Sequence, residues 1–150
     1  MGPREPVNLN YIDTSALVRL IDGVGTTTPV EHALHENPRA SEFLSLELHC
    51  ALFKRAHDTG MSSKDRDTLI RVGRDLLASV SLERLDNRTH ALALSVAQIA
   101  PVRTLDAVHI ATALWAHGVA PATWEVWFTT SDAGQAEAAR KVLPNVVLMQ

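Results

Sequence analysis

Apolar and polar positions follow two periods along the chain, and the changes between them divide it into short strands and amphipathic helices. Val7 to Ile12 alternates apolar with polar side chains and ends at Asp13, the pattern of a strand. Thr14 or Ser15 is placed to cap a helix over residues 16–21, which the run Gly23-Val24-Gly25-Thr26-Thr27-Thr28-Pro29 then breaks. Residues 23–37 read as a Thr- and Gly-rich connection longer than a minimal one, whose order the sequence leaves open, with a short helical piece ended by Asn37-Pro38. Ser41 is placed to cap a helix that continues to Asp58 and stops at Gly60. Ser62 or Ser63 opens another, with Leu69, Val72, Leu76 and Val80 at helical spacing, and a short strand over 80–85 follows it. Asp86 or Asn87 caps a helix through Ile99, closed by Pro101. Thr104 to His117 is a very apolar helix, with Gly118 expected in the left-handed position at its end. Residues 126–130 read as a buried strand, 133–142 as a helix and 146–148 as a last strand. Strands separated by helices predict an α/β fold whose parallel sheet is covered on both faces.

Composition adds bounds. With 150 residues, 46% of them apolar, and no internal repeat or low-complexity tract, the chain is expected to be one domain over residues 1–150. Cys50 is the single cysteine, so a disulfide framework and any zinc site with two thiolates are excluded. No apolar run reaches the roughly 18 to 20 residues of a membrane span, and Met1-Gly2-Pro3-Arg4-Glu5-Pro6 lacks the core of a signal peptide, so a cytoplasmic protein with no membrane partner is expected. The net charge of −3 argues against a general nucleic-acid coat. That charge is uneven, however. Residues 54–103 carry nine basic and six acidic groups, whereas residues 1–53 carry three and seven. Eleven of the 14 basic residues are Arg, the type suited to bidentate phosphate contact, although such a surplus also suits a solvated helix.

In parallel α/β folds, chemistry gathers at the carboxyl ends of the strands. Asp13 and Asp132 each follow a predicted strand, and either alone has an ordinary use as a cap or turn residue. Glu47 is flanked at helical spacing by Phe43, Leu44, Cys50 and Ala51, which puts its carboxylate on the stripe expected to face the core. A carboxylate there needs a buried Arg, a structural hydrogen bond or a bound cation. Asp106 opens the helix from Thr104 and by itself reads as a favourable charge at a helix start. Taken together, the four acids can converge at one edge of the sheet. At about 5 Å apart they would repel by roughly 3 kcal/mol per pair at an effective dielectric near 20, and a divalent cation resolves this. An all-oxygen site selects Mg²⁺ or Mn²⁺, suited to activating water against a phosphodiester and leaving a 5′-phosphate and a 3′-hydroxyl.

These residues also carry a family resemblance. Tyr11-Ile12-Asp13-Thr14-Ser15-Ala16-Leu17, Leu105-Asp106-Ala107-Val108-His109-Ile110-Ala111-Thr112-Ala113-Leu114 and Phe128-Thr129-Thr130-Ser131-Asp132 resemble the signature segments of PIN-domain ribonucleases, most of all the VapC toxins of toxin-antitoxin pairs. Ser41 followed by Glu47 resembles the remaining acidic segment. The resemblance implies a PIN-like three-layer α/β/α fold with a central, mainly parallel sheet of four or five strands. It also implies an endoribonuclease dependent on Mg²⁺ or Mn²⁺. Asp13 and Asp106 would be its principal metal ligands, Glu47 and Asp132 would complete the pocket, and Ser15 and Thr130 would support the acids. A homodimer and a small VapB-like antitoxin covering the pocket are implied with them. After Asp132 the chain reads Ala133-Gly134-Gln135, where the family commonly has a basic residue and then Leu, so a looser start to that helix is expected.

Other residues have simpler readings. His32, His35 and Glu36 do not form a His-Glu-x-x-His zinc helix. His109 is expected as a packed or surface histidine that could also touch substrate, and Cys50 as a core residue. Trp115, Trp124 and Trp127 are expected to fill the core or a dimer contact rather than stack on bases. A receiver-type signalling domain fails because Thr14 and Ser15, not a second acid, follow Asp13. A structure-specific DNA nuclease would use the same ions but needs duplex-binding parts for which this chain has little room. A catalytically silent interaction module with the same fold is the standing alternative.

Overall fold

The computed structural model describes residues 7–150. Five parallel strands form one sheet: β1 (Val7–Ile12), β2 (Pro38–Ser41), β3 (Ser81–Glu83), β4 (Trp124–Thr130) and β5 (Val146–Leu148). Seven helices connect them: α1 (Thr14–Asp22), α2 (Thr28–His35), α3 (Phe43–Asp58), α4 (Ser63–Ala78), α5 (Asn87–Ile99), α6 (Thr104–Val119) and α7 (Ala133–Arg140). The order across the sheet is β3-β2-β1-β4-β5. The chain therefore winds outward from β1 to β3, then crosses back through α5 and α6 to lay β4 on the other side of β1.

That reversal puts helices on both faces. One core joins Tyr11 and Phe128 of the central strands to Ile110, Ala111 and Ala113 of α6 and Val96 of α5. A second, on the opposite face, joins Ile12 to Leu17 of α1, Val30 of α2 and Leu44, Leu48 and Leu52 of α3. The three-layer α/β/α fold with a parallel sheet is thus present, with five strands. Wherever the order of strands reverses, the loops leaving the two flanking strands part and open a crevice at their carboxyl ends. Here the flanking strands are β1 and β4, which end at Ile12 and Thr130.

Local chemistry differs from the expected pattern at several points. Asp13, not Thr14 or Ser15, caps α1, its carboxylate accepting from Ala16 N–H at 3.0 Å. Ser41 ends β2, because Pro38–Ser41 pairs with β1 and β3 on either side; Glu42 occupies the cap position of α3, and Ser41 Oγ still accepts from Phe43 N–H at 3.3 Å. Gly118 lies inside α6, which runs on to Val119, and among the described glycines only Gly23, Gly25 and Gly60 have positive φ. Cys50 is exposed. The buried stripe of α3 is Leu44, Leu48, Leu52 and Ala56, which turns Cys50 outward beside Leu46 and Phe53. The short helix expected within 23–37 is present as α2, and the connection is pinned by Thr26 N–H to the Gln150 carbonyl at 3.1 Å. Gly25 makes that approach possible, since a Cβ there would sit 2.9 Å from the same carbonyl and 2.6 Å from Arg19 Nη2. The start of α7 is tight rather than loose, with Gln135 N–H donating to Asp132 Oδ1 at 2.9 Å and the Gln135 side chain buried. Trp115 carries the Arg88 guanidinium 5.3 Å above its ring, a contact between α5 and α6, and Trp124 packs beside Leu9 and Val126.

Candidate active site

Asp13, Glu47, Asp106 and Asp132 line one cavity of about 200 Å³ at the crevice between β1 and β4, with Thr14, Ser15, Arg103, His109 and Gln135. Topology brings them there. Asp13 leaves β1, Asp132 follows β4, Glu47 sits one turn into α3 just after β2, and Asp106 lies in the first turn of α6. A second cavity of about 230 Å³, between α2 and the sheet, includes Asn8, Asn10, Glu36 and Trp127 but gathers no set of acids.

Asp13 is the deepest of the four, with 3% of its surface exposed. Ser15 Oγ donates to both of its oxygens at 2.8 and 2.9 Å, and Thr130 Oγ1 donates to Oδ2 at 2.7 Å. Desolvation outweighs these bonds and pushes its pKa up to about 6. The carboxylate is therefore held in place by neutral donors, with no Arg or Lys bonded to it and His109 the one charge that draws its pKa down. Ser15 Oγ and Thr130 Oγ1, 3.1 Å apart, also receive the N–H groups of Ser131 and Asp132, so the two hydroxyls tie the ends of β1 and β4 together. Gln135 Oε1 stands 3.0 Å from the Thr130 hydroxyl while its buried Nε2 has no partner. Turning that amide over puts an N–H against Thr130 and leaves the single hydroxyl proton for Asp13. Thr130→Val keeps the shape and removes the hydroxyl, so it is expected to cost about 1–3 kcal/mol in thermal unfolding, with Thr130→Ser close to wild type. Equal melting of the valine and serine variants would contradict this role.

Glu47 is half-buried and held by two donors: Thr14 Oγ1 at 2.8 Å and His109 Nε2 in a short contact. Burial alone would raise its pKa, but the bonds from His109 and Thr14, with the charge of Arg103, hold it below the usual carboxylate range. His109 is buried, as expected of a packed residue, but it packs as part of a chain of bonds. Ser41 N–H donates to Tyr11 Oη at 2.6 Å, Tyr11 Oη stands 3.1 Å from His109 Nδ1, and His109 Nε2 meets Glu47. Tyr11 spends its one proton on Nδ1, which leaves the Nε2 proton for the carboxylate. Tyr11 itself is fixed by stacking on Phe128, with ring centroids 5.5 Å apart.

Asp106 and Asp132 share one partner. Arg103 Nε donates to Asp106 Oδ2 at 2.8 Å, and its Nη2 donates to Asp132 Oδ2 at 3.1 Å. Among the described residues no three His, Cys, Asp or Glu side chains form a ready metal cage, because these two acids close on Arg103 while Asp13 and Glu47 close on hydroxyls and an imidazole. The donor set nevertheless fits a hard divalent cation: four carboxylates line one cavity, and the deepest has no Arg or Lys bonded to it. Sequence reasoning identified the acids and missed Thr14, Arg103 and Gln135 as their partners. The spacing Arg103-x-x-Asp106, one helical turn, was the available signal for one of them.

The chain matches the PIN domain over residues 11–141 and belongs to that family. PIN domains are generally nucleases, some of them inactive, and the nucleases generally use divalent metals. Its fold is similar to that in the crystal structure of PAE2754 from Pyrobaculum aerophilum, with a TM-score of 0.62 and 17% identity over 88% of this chain and 85% of that one. Compared with curated protein sequences, the chain matches none significantly.

Proposed function

We propose that this protein is an endoribonuclease dependent on Mg²⁺ or Mn²⁺ and the toxin of a toxin-antitoxin pair of the VapC kind. The observation that carries the reading is the meeting of Asp13, Glu47, Asp106 and Asp132 in one cavity where the strand order reverses. Asp13 and Asp106 would hold the cation, and Glu47 and Asp132 would complete its surroundings. A divalent cation, when bound, supplies the positive charge that makes water nucleophilic and steadies the oxygen leaving the phosphodiester. Ser15 and Thr130 keep Asp13 aimed into the cavity, and the bond from His109 fixes Glu47 and keeps it ionised to accept a proton. Water as nucleophile leaves a 5′-phosphate and a 3′-hydroxyl, and no ribose 2′-hydroxyl takes part. The partners that complete the proposal are a second copy of the chain and a small antitoxin that places a basic group among the acids.

A catalytically silent PIN module is the second reading, favoured by one observation: Arg103 already neutralises Asp106 and Asp132. RNA incubated with the protein separates the two. Fragments with 5′-phosphate ends are expected with Mn²⁺, none with chelator, and none from Asp106→Asn. Intact RNA at every Mn²⁺ concentration, with no thermal stabilisation by the ion, would establish the silent module.

A further inference from the structure

Arg103 is the one Arg or Lys among the residues lining the acidic cavity. It stands at the start of α6 with no side-chain capping bond of its own, and its side chain is 78% exposed. Despite that exposure, two of its nitrogens reach acids on separate elements, Asp106 of α6 and Asp132 before α7. Nη1 makes no hydrogen bond among the described residues, so part of the guanidinium is left unengaged at a cavity that Arg103 lines. Bridging two carboxylates is also what a divalent cation does in such a site, and the two positive groups compete for the same oxygens. An exposed ion pair is weak, whereas a doubly charged ion among four acids is not, so the arginine is the group that yields. A phosphodiester entering a cavity lined by four acids needs positive charge beyond that of the ion, and a released Arg103 is the side chain placed to provide it. Its planar fork matches a phosphate better than an ammonium does.

We propose that Arg103 is the phosphate-binding arm of this site, resting on Asp106 and Asp132 until a divalent cation takes over their charge. This rests on the nuclease reading above, and it assigns the side chain two successive partners: the acids first, then the RNA phosphate beside the scissile bond.

Mn²⁺ binding without RNA, followed by electron paramagnetic resonance of the free ion, tests the first half. Arg103→Ala is expected to bind Mn²⁺ about five-fold more tightly than wild type, the change that matches loss of a weak competing pair. Cleavage of a short RNA at saturating Mn²⁺ tests the second half. The same variant is expected to show a KM raised about ten-fold with kcat changed less, and a salt dependence of log KM shallower by about 0.7, the mark of one lost phosphate contact to a single strand. Arg103→Lys recovers part of the KM, and Arg66→Ala, which removes a basic residue of α4 paired only with Asp67, changes neither reading. Unchanged Mn²⁺ affinity in Arg103→Ala overturns the resting contact, and an unchanged KM and salt slope overturn the arm. Failure of the wild type itself to bind Mn²⁺ is a separate outcome, which removes the nuclease reading and this inference with it.

Discussion

Asp13→Asn is expected to hydrolyse RNA roughly 10² to 10³-fold more slowly than wild type and yet to be the more stable protein above about pH 6 without divalent ions. The two effects share one cause. Burial sets the Asp13 carboxyl at about 6, against an ordinary value of 3.8. Between those values the folded protein holds a proton that the unfolded chain has released. The contribution of Asp13 to stability is therefore fully present below about pH 4 and is lost as pH rises through about 6, a change on the order of 3 kcal/mol. Asparagine never ionises, and its carbonyl still accepts from Ala16 N–H at the start of α1. The variant avoids the cost of ionisation but loses part of its bonding to Ser15 and Thr130. At about 2–4 °C per kcal/mol for a chain of this length, it should melt several degrees above wild type at pH 8 and lose the advantage by pH 4. Mn²⁺ should raise the wild-type melting temperature and leave that of the variant almost unmoved. Melting curves at the two pH values with and without the ion check all of this, and a variant that melts lower at pH 8 would refute the account of Asp13.

His109→Leu should be the most damaging single change among the partners of the acids. Leucine fills much of the imidazole's volume, so the loss is polar rather than a cavity. Tyr11 Oη loses its acceptor within the core, and Glu47 loses the donor that keeps it ionised despite burial. Leaving one buried group unpaired while breaking a bond to a carboxylate costs about 2–4 kcal/mol, which should lower the melting temperature by roughly 5–15 °C. Activity should fall with it, as Glu47 becomes protonated more readily and is no longer aimed into the cavity. Tyr11→Phe, which removes the hydroxyl, should cost clearly less in the His109→Leu background than in wild type, because the bond is already gone. Additive losses in that cycle, or a His109→Leu protein melting within a degree of wild type, would show that the chain from Ser41 to Glu47 has no energetic meaning.

The sheet and most helices were legible because period and punctuation agreed. Val7 to Ile12 alternates apolar with polar residues and the run before Asp132 is apolar, each followed by an acid, and Ser62 and Asp86 begin helices as capping residues should. β2 escaped because Pro38-Arg39-Ala40-Ser41 has neither alternation nor β-branched residues. It is a strand by virtue of its neighbours, paired on both edges. Cys50 was assigned to the wrong face for a related reason: α3 carries apolar residues on two faces, and only packing shows that Leu44, Leu48 and Leu52 are the buried set. The four acids could be found one by one from strand ends and helix starts. Their partners could not, since the bonds from His109 to Glu47 and from Arg103 to Asp132 join residues 62 and 29 positions apart.

The central pair of the sheet has a consequence for synthesis. β1 is the first strand of the sheet to leave the ribosome, yet on one side it pairs with β4, and the Thr130 hydroxyl that steadies Asp13 lies 117 positions further on. Closing so long a loop comes late in folding, and until it closes β1 presents an open edge to whatever chaperone or neighbouring chain is near. A nascent chain halted before residue 124 holds Asp13, Glu47 and Asp106 but lacks β4, so Asp132 and the Thr130 hydroxyl join the cavity only after that strand has been made and paired with β1.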